Sequence, residues 1–312
     1  MNEKRMNRRE FLKKSAECTA LAAVGAATPA LLRTRAFAAQ MPDIVVADGL
    51  PGPATNAAVK ALGGMKRFVK PDAKVVIKPN MSFANPPDRA TTTHPDVIRA
   101  LVSMCLDAGA SSVLVLDNTL RPAEMCLERS GLREACDFSP KARAEAINSE
   151  KFYQKVDVPK GVDLKSTMIM KRVLEADVLI AAPVAKSHSD TGVSLSMKGM
   201  MGLVLNRREM HKEMELNTAI VDLCTVLPTA LSVVDASRIL SSGGPGGPGE
   251  VITLNKIIAS TDIVAADAMA VELGTWYGKK FQAKQVKHIL LAHQRGLGNM
   301  NVSEMAVKKV TA

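Results

Sequence analysis

The sequence predicts an α/β protein built on a mostly parallel, Rossmann-like sheet with crossover helices and a small inserted lobe. Short apolar runs rich in β-branched residues recur along the chain, as in strands buried on both faces. Stretches with apolar residues at three-to-four spacing separate them, the period of helices with one buried face. Strand and helix in alternation is the pattern of a parallel sheet with crossovers. A length of 312 residues with 47% hydrophobic content is enough for one large core, and a single α/β domain is expected over residues 39–312.

In chain order, strands are expected at Ile44–Ala47, Val75–Lys78, Ser112–Leu116, Val178–Ala182 and Leu231–Asp235. Helices are expected at Ala54–Val69, Pro95–Ala108, Pro122–Ser130, Glu209–Val226 and Asp262–Leu273. His94-Pro95 and Arg121-Pro122 put proline in a first turn, where its missing N–H costs nothing. The more charged stretch 141–171 reads as an insertion with a hairpin pairing Lys155–Val158 with Thr167–Lys171. Ser241–Gly249 is a Gly/Pro loop that lacks both the Walker lysine and the G-x-G-x-x-G spacing. A lid over a ligand and a plain turn both remain open for it.

The first forty residues read as an address. Arg8-Arg9 precedes a weakly apolar, Ala-rich run from Ala20 to Leu32, and Ala36-Phe37-Ala38 supplies a small-x-small cleavage pattern. This looks like a twin-arginine export signal over residues 1–38, so the expected partner is the twin-arginine translocase and the expected location the periplasm. After position 40 no run of roughly 18 strongly apolar residues appears, so no stable membrane insertion is expected once the signal is removed.

Residues 1–38 carry eight Lys/Arg against three Asp/Glu, which accounts for half of the chain's formal charge of +10. The remainder is modest. With only 3% aromatic residues and no interleaving of basic and aromatic side chains, a nucleic-acid groove is not expected. Five cysteines without a C-x-x-C pair exclude an all-cysteine zinc ribbon, and an iron–sulfur cluster is not expected from their spacing. Cys105 and Cys224 fall inside apolar helical patterns and read as small buried hydrophobes.

Polar residues just beyond each predicted strand are informative, because open α/β sheets bind ligands at the carboxyl ends of their strands. Val75–Ile77 runs into Lys78-Pro79-Asn80, and Val113–Leu116 into Asp117. Leu179–Ala182 leads to Lys186-Ser187-His188, and Leu231–Val234 to Asp235. Lysines neutralise an anionic ligand, while Asp and His hold a divalent cation or move a proton. Lys78, Asn80, Thr93 and Lys198, with Gly244 and Gly246 of the glycine loop, are therefore expected to bind the ligand. Lys186, His188 and Asp235 are expected to do the chemistry, with Asp117 and Asp190 as further carboxylates. The set leaves room for a divalent metal at Asp235, His188 and Asp117, without naming one. Met197, Met200 and Met201 read as packing, and His211, His288 and His293 as surface or core residues. Asp262 reads as a helix N-cap, and it and Asp267 as chiefly structural.

The ordered set Lys78-Pro79-Asn80, Thr93-His94-Pro95, Lys186-Ser187-His188, Ser196-Met197-Lys198, Asp235, Gly244-Pro245, Ala259–Asp267 and Arg295–Gly298 resembles the family called domain of unknown function 362. The resemblance covers nearly the whole mature chain and implies an α/β fold without implying a reaction. Some members carry an added ferredoxin module, for which this chain has no cysteine pattern. Two positions depart from the family's usual pattern: Gly199 stands where Asn usually follows the lysine, and Ala236 where Gly usually follows the aspartate. Two functions fit these residues. One is an enzyme acting on an anionic small molecule, with or without a metal. The other is a periplasmic ligand-binding or cofactor-maturation accessory without catalysis.

Overall fold

The computed structural model describes residues 41–312, so the expected export signal lies outside the described residues. In chain order, the first half contains β1 (Ile44–Asp48), α1 (Pro51–Ala61), β2 (Lys74–Pro79), α2 (Pro95–Asp107), β3 (Ser112–Asp117), α3 (Ala123–Arg129), α4 (Leu132–Cys136) and β4 (Ala142–Ala146). A two-stranded hairpin, β5 (Tyr153–Asp157) and β6 (Ser166–Met170), and the single turn α5 (Lys171–Leu174) follow. Then come β7 (Val178–Ala182), β8 (Val184–His188), β9 (Gly192–Ser194), α6 (Ser196–Gly199), α7 (Arg207–Lys212) and α8 (Leu216–Cys224). The chain closes with β10 (Leu231–Leu240), β11 (Val251–Ser260), α9 (Ile263–Leu273), α10 (Lys287–Gln294) and β12 (Val307–Thr311).

Ten strands form the main sheet in the order β12-β1-β11-β10-β7-β2-β3-β4, with β8 on the far part of β10 and β9 on β8. Only β11 and β9 run against the rest of it. The predicted α/β class with a mostly parallel sheet is what the chain adopts. Alternation along each strand sorts the side chains between two cores. Val75, Ile77, Val113, Val115 and Ile180 pack with α1, α2 and α4. Val76, Leu179, Ala181 and Val234 pack on the other face with α8, α9 and α10. Covering both faces is what makes these strands apolar throughout.

Three differences from the sequence reading matter for the site. The strand expected to stop at Asp235 continues to Leu240 and pairs with β11 as a long hairpin, the glycine loop forming its turn. Residues 142–146 of the charged stretch join the main sheet beside β3, leaving β5 and β6 as a separate two-stranded sheet. The helix expected over 209–226 is two helices. Glu215 breaks it by capping α8, its carboxylate accepting from the Thr218 N–H at 2.9 Å, an orphan donor that a side-chain oxygen satisfies well.

Asp262 caps α9 as expected. One carboxylate oxygen accepts from the Val264 and Ala265 N–H groups at 2.8 and 3.0 Å, and the other from the Asn299 N–H at 2.7 Å. Gly298 packs so tightly on this carboxylate that a Cβ there would fall 2.0 Å from Oδ1. Asp262→Ala should therefore lower stability by at least about 1 kcal/mol, read as a shift of the urea midpoint at unchanged slope.

Candidate functional site

Strand order reverses between β2 and β7: from β2 the chain moves outward to β3 and β4, and from β7 it moves toward β10. Ligands of open α/β sheets bind at such reversals, outside the carboxyl ends of the strands. Pro183 separates β7 from β8, which carries on along β10 with Val184 opposite Asp235 and Lys186 opposite Leu240. β2 ends at Pro79, paired with Ala182, so the two strands part here. A cavity of about 440 Å³ occupies this end, with Lys78, Asn80, Lys186, His188, Lys198 and Arg207 in its lining.

The three lysines are buried, Arg207 is half-buried, and the four are unequally partnered. Lys78 Nζ lies 3.2 Å from Asp117 Oδ1, while Asp117 Oδ2 accepts from the Met81 N–H at 3.0 Å and the Ser82 hydroxyl at 3.1 Å. Gly202 makes room for this pair; a Cβ there would fall 2.1 Å from Asp117 Oδ1 and 2.4 Å from Lys78 Cε. Lys186 Nζ donates to Thr91 O at 2.8 Å and lies 5.0 Å from the centre of the Phe83 ring. Arg207 donates to Asn118 O at 2.6 Å. Burial favours the neutral amine: it pushes Lys186 down to about 7, helped by Lys78, Lys198 and Arg207 and opposed by Asp117. Burial, with Arg207, brings Lys198 down to about 8. Lys78 is lowered by burial against the pull of Asp117.

Two histidines join the lysines. His188 Nδ1 accepts from the Asp190 N–H at 3.1 Å, an arrangement that leaves Nε2 carrying the proton. Burial and the charge of Lys198 hold its pKa down at about 3. Its ring stacks on His211 with centres 5.9 Å apart. His211 Nδ1 lies 3.2 Å from Asp190 Oδ2, and its Nε2 lies 3.4 Å from Lys198 Nζ. Asp190, His211 and Lys198 thus form a chain along which a proton can pass, with the carboxylate orienting the imidazole.

Of the residues expected to bind or react, Lys78, Asn80, Lys186, His188 and Lys198 come together. Asp235 does not line the cavity. It is fully buried, accepts from Arg238 at 2.8 Å and from the His94 N–H at 2.8 Å, because the strand runs on past it and brings Arg238 alongside. Arg238 also donates to Pro87 O and Thr92 O, so the pair clamps the segment before α2. Thr93 is internal too: its hydroxyl accepts from the Asn80 N–H at 2.9 Å and donates to Ala182 O at 2.7 Å, tying β2 to β7. Gly244 packs on Ser187, whose hydroxyl accepts its N–H at 3.0 Å. Gly246 sits against the Phe83 ring, and it is Pro245 between them that reaches the cavity.

Arg207 and His211 were not expected at the site. Their spacing of four on the short helix α7 puts both on one face, which is the local signal that identifies them once the helix break is known. Asp267 acts from behind, its two oxygens accepting from the Ser196 and Met197 N–H groups at 2.8 and 2.9 Å. It thereby holds the turn that carries Lys198. Gly199 lines the cavity, and a Cβ there would meet nothing within 4 Å, so the side chain missing at this position would have had space. The expected metal set of Asp235, His188 and Asp117 does not assemble, since Asp235 is bound to Arg238 and Asp117 to Lys78. Among the described residues no three His, Cys, Asp or Glu side chains are placed to hold a metal ion. Cys105, Cys126, Cys136 and Cys224 are buried free thiols.

The model of the family described as domain of unknown function, DUF362, matches residues 75–272. The chain belongs to this family. It is similar to the thylakoid-associated protein sll1697 of Synechocystis sp., with 25% identity over 224 residues that cover 69% of this chain and 67% of that protein. Among solved structures it is similar to the lactate racemase apoprotein from Thermoanaerobacterium thermosaccharolyticum, with 13% identity, a TM-score of 0.39 and 72% of this chain covered. A protein from Thermotoga maritima gives 13% identity, a TM-score of 0.40 and the same coverage. The matched parts span 56% and 60% of the lengths of these two proteins.

Removing the Asp117 carboxylate leaves Lys78 buried without a counter-charge. Asp117→Ala should cost about 3–5 kcal/mol in urea denaturation, and adding Lys78→Met should recover part of that loss. Equal stability of the single and double variants would show that the pair does not act as a unit.

Proposed function

We propose that this DUF362 member binds an anionic small molecule in the cavity at the carboxyl edge of its sheet, and acts on it by proton transfer. One observation carries the reading: three buried lysines, Lys78, Lys186 and Lys198, and the half-buried Arg207 line one cavity. The fully buried carboxylate of Asp117 answers only one of them directly. Cations brought together without equal compensation repel one another, and a bound anion removes that cost. The chain from Asp190 through His211 to Lys198 favours an enzyme, because a carrier or maturation accessory needs the lysines without a proton path.

The amino-terminal segment supports a location. Arg8-Arg9, the weak apolar core and Ala36-Phe37-Ala38 fall within one short stretch, which supports export to the periplasm by the twin-arginine translocase. Among the described residues no helix is long and apolar enough to cross a membrane. Sequencing the mature protein should give Ala39 as its first residue. Export that survives replacement of both Arg8 and Arg9 by Lys would remove this assignment.

Anion binding should depend on pH in a defined direction. An anion favours the ammonium form, so binding takes up protons wherever Lys186 or Lys198 is partly neutral in the free protein. With these groups at about 7 and about 8, affinity should be highest below pH 7 and fall as pH rises through both values. Glycolate is a suitable probe because its carboxylate keeps one charge across this range. Titration calorimetry should show weaker binding at higher pH, and Lys186→Ala should weaken binding at pH 6 while leaving the far-ultraviolet circular dichroism unchanged. Affinity that rises with pH would overturn the cationic reading.

A further inference from the structure

We infer that Lys186 is a nucleophile that forms a Schiff base with a small 2-oxo acid, a covalent step that rests on the anion-binding reading above. Three placements lead to this residue. Its side chain is buried at the cavity wall, 3% exposed, where water competes poorly with a bound carbonyl compound. Its nearest polar partner is neutral, the Thr91 carbonyl, whereas Lys78 is held by Asp117 and Lys198 by His211. A neutral amine donates to a carbonyl as an ammonium does, so losing the proton does not release the side chain. Cations also surround it, which is one of the two known ways to activate a lysine, the other being desolvation.

Lys78 at the end of β2, Lys198 on α6 and Arg207 on α7 favour the neutral amine, and Asp117 at the end of β3 opposes them. The Phe83 ring favours the ammonium while screening the amine from bulk water. On its own strand His188 is neutral at pH 7 and adds no charge. The same cations specify the substrate. Because Lys198 and Arg207 share the cavity with the amine, the negative charge of the ligand belongs close to the carbon that reacts, as it is in an acid whose carbonyl adjoins the carboxylate.

The reaction balances without a further reagent. The Lys186 amine pair attacks the carbonyl carbon, forming a C–N bond, and the C=O π pair moves to oxygen. That oxygen gains a proton as the nitrogen loses one, giving a carbinolamine. Loss of the hydroxyl as water, with one further proton taken up from the Lys198–His211–Asp190 chain and the remaining nitrogen pair closing the C=N bond, yields the protonated imine.

The test uses glyoxylate, the smallest acid of this class, with cyanoborohydride to reduce any imine, on the purified protein at pH 7. Peptide mapping compares Lys186 with the exposed Lys60 and Lys308. Lys186 should be modified at least about tenfold faster, given the larger neutral fraction of a buried, cation-flanked amine, and glycolate should protect it. Lys186→Arg, which keeps the cation, should still bind glycolate by calorimetry and lose the fast modification. Glycolate binding with Lys186 reacting no faster than Lys60 and Lys308 overturns the covalent step and leaves anion binding intact. Fast modification passing to another cavity lysine in Lys186→Arg overturns the choice of nucleophile. Absence of glycolate binding to the wild-type protein, even at millimolar concentrations, overturns the anion-binding reading itself.

Discussion

The site rests on the buried ion pair between Lys78 and Asp117, which closes the carboxyl ends of two adjacent parallel strands. A pair of this kind repays its desolvation only when its remaining hydrogen-bonding capacity is used. Asp117 uses Oδ2 in this way, accepting from Met81 and Ser82, the first residues after the Lys78-Pro79-Asn80 turn, while Oδ1 faces Lys78. The carboxylate thus fixes the course of the chain leaving β2 as well as the charge of Lys78 near its end. Gly202 is the counterpart on the opposite wall, where only the absence of a side chain lets the backbone close over the pair. Lys78 is consequently the best compensated of the cavity cations, and the excess positive charge falls on Lys186, Lys198 and Arg207.

Behind this wall lies a set of aspartates whose work is to hold backbone. Asp235, with Arg238, fastens the segment before α2. Asp267 receives the two N–H groups at the start of the Lys198 turn, and Asp222 receives those of Val162, Asp163 and Leu164 while pairing with Arg295. A carboxylate can satisfy several converging donors at once, which a neutral side chain does less well. This explains why aspartates recur through the chain at positions that never meet the cavity. It also explains how the short turn α6 holds Lys198 in place: Asp267 pins that turn from beneath.

Burial of these lysines has a chemical consequence. In water an ε-amine is protonated at neutral pH and cannot act as a nucleophile or base. Within this cavity the cost of desolvating the ammonium, added to repulsion by its neighbours, brings the neutral form within reach for Lys186 and Lys198. The histidines divide differently. His188 is kept neutral, with its Nδ1 occupied by a backbone donor, whereas His211 is oriented by Asp190 toward Lys198. Two similar rings, stacked on one another, are thereby given unlike roles by their hydrogen-bond partners.

Local pattern in the sequence determined the parallel strands β1, β2, β3, β7 and β10, the helices α2 and α9, and the placing of Lys78 at the end of β2 and Lys186 just beyond β7. Each of these depends on the periodicity of burial or on a residue's position at the end of an apolar run, and both are visible within a few neighbours. What tertiary structure decided was which charged group meets which. Asp235 was legible as a strand-end residue only so long as its strand seemed to end there; pairing with β11 carries β10 onward and places Arg238 beside it. His211 lay hidden in a continuous helical pattern and Arg207 just ahead of its expected start, because the break by Glu215 depends on capping and their direction depends on contact with Asn118 and Asp190. A buried charge takes its partner from whatever the fold brings within a few ångströms, and that distance has no signature in the spacing of the residues along the chain.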